Sequence, residues 1–259
     1  MKAKPHYGLE LSISKTMKIL FNSTFMKNNY LDPCDTKYDN QFDNINLLLR
    51  YPWVGNNYTS SKCHVLLLGD SHYATNEDGS HSEEEEIRFK TDKGSTRGTI
   101  NCVIENFCEQ GSSWKFFNGL LNTFTGTTPD SVKSFFGKVA FYNFIQEPMK
   151  RSKSKPTPKQ QKDGWQCLAK VTEILNPDYI ILFGIRNWYG LESQKMGNLT
   201  WEKKKNDNCT PATGFLITSN GETPLAIIKH AASRGGYNPS AWSNYLKEKA
   251  PDIMSFLMK

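Results

Sequence analysis

Short, wholly apolar runs alternate along this chain with longer stretches in which apolar residues recur every three or four positions. Residues 64–68 (HVLLL) form the first such run and end at Gly69, the pattern of a buried strand entering a tight turn. Residues 138–142, 179–183 and 224–229 predict a second, third and fourth strand, and residues 214–219 a shorter one in a hairpin with the fourth. Between them lie helical spacings. Asp163 is placed to cap a helix carrying Trp165, Leu168, Val171 and Leu175, which Asn176 and Pro177 then stop. Trp114, Phe117 and Leu121 mark a helix before the second strand, and Ser240 is placed to cap one after the fourth. Residues 1–60 have a different texture and predict a mostly helical N-terminal cap, with residues 16–27 its best helical stretch.

Strands alternating with helices imply a three-layer α/β/α domain over residues 61–259, built on a central, mainly parallel four-stranded sheet. In such sheets chemistry sits beyond the carboxyl ends of the strands. The first strand ends in Gly69, Asp70, Ser71, His72 and Tyr73. The second ends at Asn143, and the third in Gly184, Ile185, Arg186, Asn187 and Trp188. The fourth ends at His230, followed by Ala231, Ala232, Ser233, Arg234 and Gly235. Each group has an ordinary structural explanation: Asp70 as a turn cap, Asn143 as a turn residue, His230 as a hydrogen-bonded histidine. Their convergence on one edge is what points to chemistry.

That order resembles the uracil-DNA glycosylase superfamily. The glycine-led turn with its acid is Gly69 and Asp70, the strand-end asparagine is Asn143, and the terminal histidine with its Ser-containing loop runs from His230 to Ser233. The resemblance covers about residues 60 to 245. Ser71 stands where the best-known branch has its catalytic Asp, His72 where a Pro is usual, and Ala231 and Ala232 where Pro-Ser is usual.

The resemblance implies hydrolysis of an N-glycosidic bond in DNA, releasing uracil or a modified pyrimidine from a flipped nucleotide. Its setting would be repair or defence against phage DNA. Asp70 would stabilise the sugar cation and orient water, His230 would meet the charge developing on the base, and Asn143 would read the base edge. Phe89 is the implied stacking ring, Tyr73 shapes the pocket floor, and Gly69, Ser71, His72, Arg186 and Trp188 complete the substrate set. Ser233, Arg234 and Gly235 are candidate phosphate contacts. So are Lys153, Lys155 and Lys159, in a basic, proline-stiffened segment leaving the same edge. Composition alone makes that segment a solvated surface; its position suggests phosphate tracking. Glu83, Glu84, Glu85 and Glu86 read as a solvated loop.

The net charge of +6 is compatible with a polyanionic partner without requiring one. Cys34, Cys63, Cys102, Cys108, Cys167 and Cys209 form no C-x-x-C pair, so no zinc ribbon, iron–sulfur cluster or other cofactor is expected. Residues 1–14 are polar and no run reaches the ~20 apolar residues of a membrane span, so a cytoplasmic, monomeric protein is expected. Two other readings fit the residues. Leu68 to Ser71 is similar to the first block of SGNH-type esterases, with Ser71 the nucleophile, His230 the base and Asn143 in an oxyanion hole. There Ile227 stands where an Asp is usual. The third reading is a catalytically inactive DNA-binding module on the same fold.

Overall fold

The computed structural model describes residues 34–259 apart from Glu77, 110–113, 152–153 and Arg234. The expected helix at 16–27, Lys153 and Arg234 therefore lie outside the described residues. Among the described residues seven strands form one sheet: β1 (Trp53–Val54), β2 (Val65–Tyr73), β3 (Val139–Met149), β4 (Tyr179–Phe183), β5 (Gly197–Trp201), β6 (Ala212–Thr218) and β7 (Gly221–Ile228). Their order is β1-β3-β2-β4-β7-β6-β5. The four expected strands occupy its centre as β3-β2-β4-β7 and are mutually parallel. The sheet is wider than that four-stranded centre: β6 is the expected hairpin partner of β7, while β1, antiparallel to β3, and β5, antiparallel to β6, were not expected. β5 mixes partly buried and exposed positions, so it carries no apolar run that would announce it.

Alternation along the central strands explains their uniform apolarity. Val65, Leu67, Phe141, Ile181, Phe183 and Ile228 face one core; Leu66, Leu68, Tyr142, Ile180, Leu182 and Ile227 face the other. Both faces are covered by helices along the middle of these strands, so the runs Val65–Leu68, Val139–Tyr142, Tyr179–Phe183 and Leu225–Ile228 are apolar throughout. On the first face pack α3 (Ser95–Glu109), α4 (Lys115–Phe124), α5 (Pro129–Lys138), α7 (Pro239–Lys249) and α8 (Pro251–Leu257). On the second lie α6 (Pro158–Leu175) and the four-residue α1 (Asp39–Phe42). Residues 34–60 thus contribute one short helix, turns and an edge strand.

Several boundaries differ from expectation for a local reason. Thr157, not Asp163, caps α6: its hydroxyl accepts from Gln160 N–H while Gln160 Oε1 accepts from Thr157 N–H, a reciprocal capping box with Pro158 following. Asp163 sits a turn inside and pairs with Lys159 at 2.5 Å. Asn176 ends α6 in the left-handed region (φ 46°), as expected of the Asn-Pro stop. Asn238, not Ser240, caps α7 by accepting from Ala241 N–H at 3.1 Å. The four consecutive glutamates form the first turn of α2 (Glu83–Thr91) rather than a loop. Ser82 caps that helix, and the positive helix end favours acids there.

Candidate active site

β2 does not turn at Gly69 but continues to Tyr73, with an irregularity against β3: Ser71 pairs Ile145 while Tyr73 pairs Met149. Such a bulge re-aims side chains at the end of a strand. Gly69 pairs directly with Asn143, and a Cβ there would stand 2.1 Å from Asn143 Oδ1. The glycine is required because the asparagine side chain lies against its backbone.

β3 likewise does not end at Asn143 but runs on to Met149, and beside the carboxyl-terminal halves of β2 and β3 and the residues after β7 lies a cavity of about 390 Å3. Asp70, Asn143 and His230 all line it, so three of the groups singled out in sequence share one space. Ser71, His72 and Tyr73 line it as well. The aromatic wall is Phe116 with Phe117 and Phe141; Phe116 lies 5.0 Å from the His230 ring, centroid to centroid. Gly119 permits this arrangement, since a Cβ on it would meet Ala231 O at 2.8 Å, so α4 can press against the loop that follows His230. Thr96 and Thr99, three residues apart on α3, add a polar patch.

The hydrogen bonds fix protonation states. Ala232 N–H donates to His230 Nδ1 at 3.2 Å, so that nitrogen is an acceptor and the neutral ring carries its proton on Nε2. Burial lowers the His230 pKa, with the Asp70 charge opposing, which favours the same neutral form. Asn187, fully buried after β4, donates from Nδ2 to Asp70 Oδ1 at 2.5 Å. Among the described residues Asp70 Oδ2 receives no donor. The His72 ring packs tilted against Phe89, centroids 4.7 Å apart, and burial, with Arg50 and Arg88, keeps its pKa well below the ordinary value. Ser71 Oγ is buried without a hydrogen-bond partner, so no Ser–His pair exists.

Phe89 does not line the cavity. It lies behind His72, 8% exposed, with the Arg50 and Arg88 guanidiniums over its ring, because α2 turns it into the packing between β2 and the loop at Arg50. Arg186 and Trp188 are exposed on the 3-10 turn Ile185–Trp188 and also lie outside it; that turn packs Ile185 against the core and buries Asn187. In the loop after β7, Ser233 N–H donates to His230 O at 2.9 Å and Gly235 is exposed. Lys155 is exposed, and Lys159 lines a separate cleft of about 220 Å3 with Glu147 and Asp163, its ammonium held by Asp163. Sequence reasoning missed Phe116, Thr96, Thr99 and Asn187. Phe116 stands one position off the Trp114, Phe117, Leu121 stripe, where it packs on Phe141 and Phe183 and also lines the cavity.

The chain matches no known protein family and no functionally characterised protein. Among the described residues no three His, Cys, Asp or Glu side chains cluster as metal ligands, and no helix is long and apolar enough to cross a membrane.

Proposed function

We propose that this protein is a uracil-DNA-glycosylase-like enzyme that hydrolyses the N-glycosidic bond of uracil or a modified pyrimidine in DNA. The observation that carries the reading is the shared cavity: Asp70, Asn143 and His230, from three parallel strands, wall one space with the ring of Phe116. The volume, about 390 Å3, is in the range of small-molecule sites and accommodates a nucleobase.

The chemistry follows from the groups. As the bond to the base breaks, the sugar gains positive charge and the base oxygen negative charge. The free oxygen of Asp70 faces the first, and Asn187 holds the carboxylate in place through the other oxygen. The Nε2–H of neutral His230 donates to the second. A donor that is neutral before the reaction strengthens its bond as charge develops, which stabilises the transition state more than the bound substrate. Asn143 pairs with the base edge through its amide, and Phe116 takes the stacking role that the resemblance gave to Phe89. DNA is the partner on this reading, bound by a monomer with the target base flipped out of the stack.

The test uses adjacent residues. Asp70→Asn keeps shape and removes charge, and abasic sites read by alkaline cleavage should fall by about 10²–10³. Ser71→Ala should retain substantial activity, since the hydroxyl is outside the reaction. A covalent adduct on Ser71 from a serine-directed fluorophosphonate, with no base released from any DNA, would replace this reading with the esterase.

A further inference from the structure

Three large aromatic side chains stand on the surface beside the cavity instead of in the core. Trp188 is 49% exposed, and Tyr189 and Trp201 are each 38% exposed. They touch one another: Trp188 is 6.0 Å from Tyr189 and 6.2 Å from Trp201, centroid to centroid, and the two indole planes stand 89° apart. Contiguous exposed aromatic surface of this kind marks an interaction site. It adjoins the cavity, because Trp188 follows Asn187, whose amide holds Asp70.

The surroundings are basic. Arg186 lies on the same turn, close enough to Tyr73 to act on its phenol, and the Lys162 ammonium lies 5.9 Å from the centre of the Tyr189 ring. Lys203, Lys204 and Lys205 follow Trp201 after one intervening residue, Glu202, and are exposed. Among the described residues none of these five cations forms an ion pair. The nearby carboxylate of Glu202 is held by Lys249 at 3.0 Å. Aromatic faces among unpaired cations complement a polyanion with unstacked bases, which is single-stranded nucleic acid. Duplex DNA offers phosphates to the cations but keeps its base faces covered.

We infer that Trp188, Tyr189 and Trp201 form a stacking platform for single-stranded DNA flanking the nucleotide in the cavity. The inference rests on the glycosylase reading for its ligand and deepens it by assigning strandedness. The cations hold the backbone and the rings take the neighbouring bases, so the target nucleotide reaches the cavity without a duplex being opened.

The experiment measures binding of the full chain to a fluorescein-labelled oligothymidylate, and to a duplex of equal length, by fluorescence anisotropy, with base release followed in parallel. The single strand should bind more tightly than the duplex. W188A/W201A should weaken single-strand binding by on the order of 10²-fold, and duplex binding far less. W188F/W201F, which keeps a ring at each position, should restore most of the affinity. Thermal melts check folding, and W201A alone should give a partial loss if the double variant is unstable. Base release with single-strand affinity unchanged in W188A/W201A would overturn the platform and leave the glycosylase reading standing. Ring-dependent binding without base release from any DNA would do the reverse. Equal losses for single strand and duplex, or tryptophan-dependent self-association with no DNA binding, would also overturn the platform.

Discussion

Lys229 and His230 are consecutive residues at the end of β7, and their surroundings differ in one respect that separates structure from chemistry. Lys229 is buried and its ammonium meets the Asp207 carboxylate at 3.2 Å and the Asp207 carbonyl at 2.9 Å. The carboxylate oxygen that meets Lys229, Asp207 Oδ2, also receives the Asn238 N–H at 2.9 Å and the Trp242 indole N–H at 3.1 Å. This is a closed polar cluster that fastens the β5–β6 connection to the start of α7, and its donors hold the Asp207 pKa down against burial. His230, one residue on, lines the cavity with Asp70, and there a single side-chain donor, Asn187, reaches the carboxylate. Both acids are near a base. Among the described residues each keeps one oxygen without a donor, but Asp207 is tied through the other by three donors and is committed to the fold, whereas Asp70 is held by one and lines a cavity, so it is available to a substrate.

Breaking each cluster in turn should separate the two roles. Asp207→Ala leaves a buried ammonium without its partner and should cost about 3 kcal/mol of stability, read as a lower midpoint in urea, with base release per folded molecule little changed. His230→Ala should do the opposite: turnover falls about 10²–10³, while DNA binding and the melting temperature stay close to wild type. Equal losses of binding and turnover would make His230 structural. Asn187→Ala acts through Asp70, so a smaller loss in kcat of about tenfold is expected, with KM retained. Asn187→Asp should not rescue, because it puts an acceptor against an acceptor.

The smallest effect concerns acid. His72 is held neutral inside the fold, so its folded pKa lies below the ordinary ~6.5 of an unfolded chain. Above that value neither state binds the proton and His72 adds no pH dependence. Below it the unfolded chain takes up a proton that the fold refuses, so stability is lost as pH falls. His72→Gln should flatten the melting temperature between pH 6.5 and 5, buffers judged on the same ordinary value; an unchanged slope would assign the effect to other groups.

The central strands were legible because parallel strands covered on both faces admit only apolar residues, as in Val65 to Leu68 and Tyr179 to Phe183. Of the outer strands only β6 was read, through its hairpin with β7; β1 has two residues, and β5 mixes exposed and half-buried positions at an edge. At the site, position along the strands placed Asp70, Asn143 and His230 at one edge, since strand ends in a parallel sheet are neighbours whatever their separation in sequence. Helix rotation was harder to read. Phe89 and Phe116 are both aromatics on helices near that edge, and only the packing of α2 and α4 decides which ring faces the cavity. Asn187 was hidden between Arg186 and Trp188, whose side chains drew notice but point outward.

The central claim is that this cavity releases a base from DNA. The most direct measurement is mass spectrometry of the small molecules freed when the purified protein is incubated with DNAs carrying uracil and assorted modified pyrimidines. The account predicts a free base from at least one of them, an equal number of abasic sites, and loss of both in Asp70→Asn. No base from any DNA, together with a covalent adduct on Ser71 from a serine-directed fluorophosphonate, would contradict it.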